Sequence, residues 1–442
     1  MAGTPQGVNR KTVTKHCLRN IPASWGNVAI AKSDRFKVFY EPADITLVNL
    51  SKSKISGADG VRALACLAVF VRHIYIHWGV SKASGVSQWL QRLEFGVGVF
   101  FVLSGTLLAM PFWRHYLSNR AMPSLKAYSI RRAARIVPAY FVCLLICWLI
   151  FQPWDLENIG ILLSAATFTN SFLPSTYFPV DFNFALWSIG VEVIFYILLA
   201  VWAVGLFVSR GWILGIFYWI ATVAFFLLVT SWTLHLYPNL TSLVSATDAE
   251  RQIEAANWLP GRNPIGLFVH FLFGVLAAWC ILKLDNFVNR VNGADGLRRF
   301  DVGVVFVAGM TGLVFFSREL AIMPGIWRIA APIYDTMWNE VAYGWPWFPL
   351  CIVLLLVTLA FSRYAGGIMD NPFFSMTATL SYGIYLWHMV VIYFLSKAWP
   401  EVANQSIANR VIFTLAALVT VSYTHLRAHE TKANLVCRLL LE

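Results

Sequence analysis

Apolar residues in this chain come in long unbroken runs, not in the alternating or narrow-stripe patterns of a soluble fold. Ten runs recur, at residues 60–80, 95–113, 133–151, 185–208, 212–234, 264–283, 301–317, 345–362, 376–396 and 409–424. Each is roughly 20 residues, enough for an α-helix to cross a hydrocarbon core about 30 Å thick. They are apolar all round, whereas the strands of a membrane barrel alternate apolar and polar residues. The expected fold class is all-α integral membrane, a bundle of about ten transmembrane helices. The apolar segment 159–169 is too short to span and is expected to be re-entrant or interfacial.

Composition agrees. Of 442 residues, 58% are hydrophobic and 13% charged, against roughly 25% charged in soluble domains. A soluble enzyme, a disordered chain and a disulfide scaffold are thereby set aside. The formal net charge of +12 sits in short loops and in the first 56 residues, which carry Arg10, Lys11, Lys15, Arg19, Lys32, Arg35, Lys37, Lys52 and Lys54. Basic flanks of spans face the cytoplasm, so residues 1–56 are read as a basic cytoplasmic tail and the N-terminus as inside. Basic residues spread over loops in this way argue against a nucleic-acid partner. The outer loops, notably 235–263 and 318–344, are long and rich in Trp, Pro and Tyr. Cys143 and Cys147 lie one helical turn apart in an apolar run, where packing is the expected role. No zinc or redox spacing of cysteines occurs, and no metal site is expected.

Ionisable residues within spans are costly and tend to face an interior cavity. Here they are Arg62, Arg72, His73, His77, Glu192, His270 and His388. At 1.5 Å per residue, His73 and His388 lie about 18 Å up their spans and Glu192 about 10 Å down from the outer end of its own. These three and His270 fall near one level, which predicts a shared polar cavity; four separately satisfied groups are the alternative. Arg62 and His73 are eleven positions apart, which places them within about 20° on one helix face. Such a face suits an extended donor carrying phosphates near Arg62; snorkelling of Arg62 to lipid headgroups is the competing reading.

At these residues a resemblance becomes visible. Asp59-Gly60-Val61-Arg62-Ala63-Leu64, followed by Val71-Arg72-His73, resembles the first-helix signature of the integral-membrane acyltransferase-three family. Four further segments resemble its motifs in the same order: 96–105, ending Ser104-Gly105; Arg131-Arg132-Ala133-Ala134-Arg135; Leu186-Trp187-Ser188-Ile189-Gly190-Val191-Glu192; and 380–388, ending Leu386-Trp387-His388. Ala63 stands where many relatives have Gly, and the acidic residue common near Gly98 is missing. The resemblance covers roughly residues 57–422, the expected membrane domain. Residues 423–442 resemble translated sequencing adaptor, so no role is given to His425, His429 or Cys437.

The resemblance implies transfer of an acyl group, acetyl foremost, from cytoplasmic acyl-CoA to a hydroxyl of a carbohydrate or glycoconjugate. No bound cofactor is implied, since acyl-CoA enters as a substrate. The expected partners are acyl-CoA, the glycan acceptor and membrane lipids, with the protein in the cell membrane. His73 is the expected catalytic base, a covalent acyl-His intermediate being the alternative. Arg62 binds donor phosphate or orients the His73 face, and Arg132 and Arg135 grip donor phosphates at the cytoplasmic mouth. Glu192 orients a histidine or holds the acceptor hydroxyl, its alternative being a carboxyl satisfied by Trp187 or Tyr196. His388 and Ser104 are further cavity candidates. A lipid or small hydrophobic acceptor, and a non-catalytic transporter of acylated compounds, are the competing functions; the chain shows no inverted repeat in support of the latter.

Overall fold

The computed structural model describes residues 55–77, 90–152, 155–180, 183–209, 211–241, 250–288, 294–316, 342–362, 364–400, 409 and 412–421. The tail 1–54, residues 318–341 of the outer loops, the segment 422–442 and the side chain of His77 lie outside that description. Among the described residues the secondary structure is helical throughout. The helices are α1 (Ala58–His77), α2 (Phe95–Leu117), α3 (Leu125–Phe151), α4 (Leu156–Ala166), α5 (Trp187–Ser209), α6 (Trp212–Thr241), α7 (Glu250–Arg262), α8 (Pro264–Val288), α9 (Ala294–Phe315), α10 (Trp347–Phe361), α11 (Ala365–Met369), α12 (Pro372–Ala398) and α13 (Ile412–Val421).

Each of the ten apolar runs overlaps one of these helices. Six stretches are long and apolar enough to cross a membrane: Leu90–Leu117, Leu125–Phe151, Phe184–Ser209, Trp212–Val229, Ala255–Asp285 and Pro372–Ala398. The other four fall short for identifiable reasons. Helix α1 has the length but carries Asp59, Arg62 and Arg72. The apolar parts of α9, α10 and α13 are shorter than a full crossing. Helix α4, 11 residues long, is also too short to cross, in line with the reading of segment 159–169.

The outward faces are apolar. Val142, Leu145, Leu149 and Ile150 on α3, Ile197, Val201 and Val208 on α5, and Val302, Val305 and Phe306 on α9 are all exposed. In water such faces would be a liability; against lipid they need no partner, because the backbone polar groups are satisfied within each helix.

Two packing centres position the site. The first is the crossing of α2 on α8, the most extensive helix pair in the fold. Small residues allow the backbones to meet: a Cβ on Gly105 would collide with the Phe271 carbonyl, and one on Gly274 with the Val102 carbonyl. Trp113 Nε1 donates to the Val275 carbonyl at 2.9 Å across the same seam. The second is α12 against α1. Gly57 N–H donates to Asp370 Oδ2 at 2.9 Å, Ser375 Oγ donates to Asp59 Oδ2 at 3.0 Å and Cys66 Sγ approaches the Ser381 carbonyl at 3.7 Å. A ladder of polar contacts thus runs up this seam from its base, toward His73 and His388. An ion pair between Arg262 Nη2 and Glu94 Oε1 (3.0 Å), with the guanidinium over the Trp258 and Tyr343 rings, ties α7 to the start of α2.

The α2–α8 crossing yields a prediction. Gly105→Val or Gly274→Val places a side chain against backbone that cannot move aside. Either variant should lose about 2 kcal/mol or more of stability through overpacking, read as a lower unfolding midpoint in detergent; a midpoint equal to the parent chain would contradict this packing.

Candidate active site

Helix α1 begins at Ala58, in the turn after Gly57, and its polar residues recur along one side. Arg62, low on that side, lines a cavity of about 190 Å³. Helix α2 contributes Phe100 and Ser104, α3 contributes Arg132 and Arg135, α5 contributes Ser188, Glu192 and Tyr196, and α12 contributes Tyr382 and Tyr385. Five residues singled out in the sequence therefore converge here: Arg62, Ser104, Arg132, Arg135 and Glu192. Arg135 is exposed and Arg132 half-buried, which puts the cavity's open side at the start of α3.

The carboxylate is held tightly. Tyr196 Oη donates to Glu192 Oε1 at 2.5 Å and Ser104 Oγ donates to the same oxygen at 3.1 Å. Two hydroxyls from two helices thus converge on one oxygen of the carboxyl group. Tyr196 is one helical turn beyond Glu192, so this pair follows from α5 being helical. Ser104, expected as a cavity candidate, lines the cavity and bonds its carboxyl group. Trp187 does not serve Glu192; its ring stacks on Tyr177 with centroids 5.4 Å apart.

The cations are arranged differently. Among the described residues, no carboxylate lies within ion-pairing distance of Arg62, Arg132 or Arg135, the Arg262–Glu94 pair being elsewhere. Arg132 Nε is buried without a hydrogen-bond partner among the described residues. Three guanidinium groups and one carboxylate give the cavity an excess of positive charge. Such a concave, partly apolar lining with a few convergent charged groups is the usual form of a ligand site.

Of the four titratable groups expected to share one cavity, Glu192 lines this one and the three histidines are not among its described lining. His73 Nδ1 and His388 Nε2 lie 2.6 Å apart, their rings stacked at 4.8 Å and 24°. His388 was expected among the cavity residues, but it is 1% exposed and engaged by His73. The cavity residues of α12 end at Tyr385, one turn earlier, whose ring lies 5.8 Å from that of His388. The histidine pair is thus a neighbour of the cavity through Tyr385. His270 is farther removed, fully buried on α8 beside the rings of Tyr343 and Trp345. Depth along a span fixes one coordinate; the direction a helix face points decides the rest. Arg72 Nε donates to the Gln91 carbonyl at 3.2 Å.

Sequence reasoning passed over three residues. Ser188 Oγ and Tyr385 Oη lie 2.6 Å apart, both within the quoted motifs. Tyr382 Oη donates to the Ile136 carbonyl at 2.8 Å. Ser188 and Tyr385 sit at helical spacing from Glu192 and His388, and that spacing was the available signal. Among the described residues no cluster of three or more metal-ligating side chains occurs.

Residues 55–424 match the sequence pattern of the acyltransferase-three family, described as an acyltransferase domain. The chain belongs to this family. Relatives agree. A Staphylococcus aureus (strain COL) protein, provisionally named an O-acetyltransferase, is 24% identical over 78% of this chain and 52% of its own length. The peptidoglycan O-acetyltransferase OatA of Listeria monocytogenes is 24% identical over 86% of this chain and 56% of its own. The O-acetyltransferase OatA of Staphylococcus aureus (strain NCTC 8325 / PS 47) is 27% identical over 33% of this chain. The chain spans about half the length of the first two. No solved structure matches it.

The carboxylate geometry predicts a measurable coupling. A double-mutant cycle of Tyr196→Phe and Glu192→Leu, read by unfolding in detergent, should give an interaction energy of about 1 kcal/mol or more. Strictly additive losses would show that the two side chains do not bond.

Proposed function

We propose that this chain is a multi-pass enzyme of the cell membrane that moves an acyl group, acetyl first, from cytoplasmic acyl-CoA to a hydroxyl of a carbohydrate acceptor. The observation that carries this reading is the set of three guanidinium groups converging, without a carboxylate partner among the described residues, on the cavity that holds Glu192. Cations in excess of the carboxylates around them are costly beside a membrane unless a polyanion joins them. The phosphates of a coenzyme A thioester are such a group, and the bidentate donors of arginine match them.

The chemistry follows from the residues. Arg132 and Arg135 hold the donor phosphates at the open side, and Arg62 extends the positive lining inward. The thioester carbonyl lies near the His73–His388 pair, beyond Tyr385. As the acceptor oxygen attacks the carbonyl carbon, His73 takes the hydroxyl proton. The carbon–sulfur bond breaks and the departing thiolate receives that proton from His73. The products are an O-acyl ester and free coenzyme A, with His73 returned to its starting form. Glu192, fixed by Tyr196 and Ser104, orients the acceptor through its second oxygen. All ten helical runs cross or enter the bilayer in this reading, with the N-terminus inside and residues 57–422 as the membrane domain. A peptidoglycan-type glycan is the first acceptor to try, given the Listeria relative.

The test is release of free coenzyme A from acetyl-CoA by membranes carrying the full chain, with a mixed glycan acceptor. His73→Ala should lower kcat by about 100-fold or more, the usual contribution of a general base. The double variant Arg132→Ala, Arg135→Ala should raise KM for acetyl-CoA about tenfold with a smaller change in kcat, as loss of ground-state binding does. Equal release by His73→Ala at equal abundance would contradict the reading, and no release by either chain would favour a transporter.

A further inference from the structure

The histidine pair holds information that the two residues separately do not. His388 Nδ1 lies 2.7 Å from the Tyr385 carbonyl and 3.1 Å from the Ile384 carbonyl. Carbonyl oxygens only accept, so this nitrogen carries a hydrogen. A neutral imidazole with its hydrogen on Nδ1 has its lone pair on Nε2. That Nε2 faces His73 Nδ1 at 2.6 Å. A lone pair at that distance requires a donor, so His73 Nδ1 also carries a hydrogen. The basic lone pair of His73 is then on Nε2, at the far side of its ring from His388.

The arrangement is well anchored. The turn of α12 that carries His388 is held from outside the helix, because the Leu386 carbonyl accepts from Asn183 Nδ2 at 3.3 Å and from Cys143 Sγ at 3.4 Å. Tyr385 Oη is fixed at 2.6 Å from Ser188 Oγ. Phe184 packs edge-on against the His73 ring, with centroids 5.1 Å apart, and Phe70 lies 6.3 Å from that of His388. Both rings are thus confined while their nitrogens stay in register.

We propose that His388 is a positioning residue for the acyl transfer: anchored on the Ile384 and Tyr385 carbonyls, it fixes His73 as the Nδ1–H tautomer and so assigns Nε2 as the nitrogen that takes the acceptor proton. The proposal rests on the reading of His73 as the base. When Nε2 takes the proton, Nδ1–H continues to donate to the neutral ring of His388, which steadies the imidazolium without any proton passing between the rings. The role is that of an orienting group behind a catalytic imidazole, which sets tautomer and direction without touching substrate. Here backbone carbonyls, in place of a buried carboxylate, orient the orienting group, so no second charge is placed in the apolar interior.

Two measurements on the full chain in membranes or detergent test this. With histidine-selective 15N labelling, assigned by comparison with His73→Ala, His73 should show a protonated, pyrrole-type Nδ1 and an unprotonated, pyridine-type Nε2. The opposite pattern would overturn the proposal, whatever the variants do. In the second, His388→Leu removes the acceptor and should lower kcat for coenzyme A release about 100-fold, with KM for acetyl-CoA within about threefold. His388→Gln keeps an amide oxygen able to accept from Nδ1 and should recover at least about tenfold of that loss. A merely structural role would move both variants together with the unfolding midpoint and leave no such rescue. Full activity in His388→Leu with loss in His73→Ala would overturn this proposal and leave the acyltransferase reading standing. Full activity in His73→Ala would overturn both.

Discussion

Helix α12 is packed along α1 through polar contacts, and that seam determines what the rest of the structure can do. It joins Asp59 to Ser375 at one end and His73 to His388 farther along, residues more than 300 positions apart in sequence. In a membrane the hydrophobic effect does not drive helix against helix, so association depends on close packing and on hydrogen bonds between polar side chains. The polar side chains of these two helices are accordingly the ones that meet. Once α12 is seated on α1, Tyr382 and Tyr385 are committed to the cavity wall, and α3 and α5 close the other sides with Arg132, Arg135 and Glu192.

The site divides its labour by environment. On the open side are guanidinium groups without carboxylate partners among the described residues, suited to a ligand that brings negative charge. Deeper is a carboxylate with one oxygen occupied by a tyrosine and a serine. Beside it, behind Tyr385, is a stacked imidazole pair with no charge of its own when neutral. Charge is concentrated where a substrate can neutralise it, and the histidine pair behind it is hydrogen-bonded ring to ring and to backbone carbonyls, which limits the cost of burying it.

Much of this was legible in the sequence. Runs of apolar residues gave the helical class, and the cost of burying charge drew attention to Arg62, His73, Glu192 and His388. The resemblance to acyltransferases added Arg132, Arg135 and Ser104. What stayed out of reach was azimuth. His270 shares a level with the other titratable groups, yet it sits on α8, facing Tyr343 and Trp345. His388 was expected in the cavity, but the lining of α12 stops one turn earlier on the same side of the helix, at Tyr385. The Tyr196–Glu192 bond was within reach, since residues four apart on a helix are neighbours. The Ser104 contribution was not, because it depends on how α2 and α5 cross.

The central claim is that the arginine-lined cavity and the histidine pair act on one donor molecule. An experimental density map of the protein with a non-hydrolysable acetyl-CoA analogue tests it most directly. The account predicts the donor phosphates against Arg132 and Arg135, the pantetheine arm passing Arg62 and Tyr385, and the acetyl carbonyl beside His73 Nε2. Donor density elsewhere, with this cavity empty and the histidine pair remote from the thioester, would contradict it.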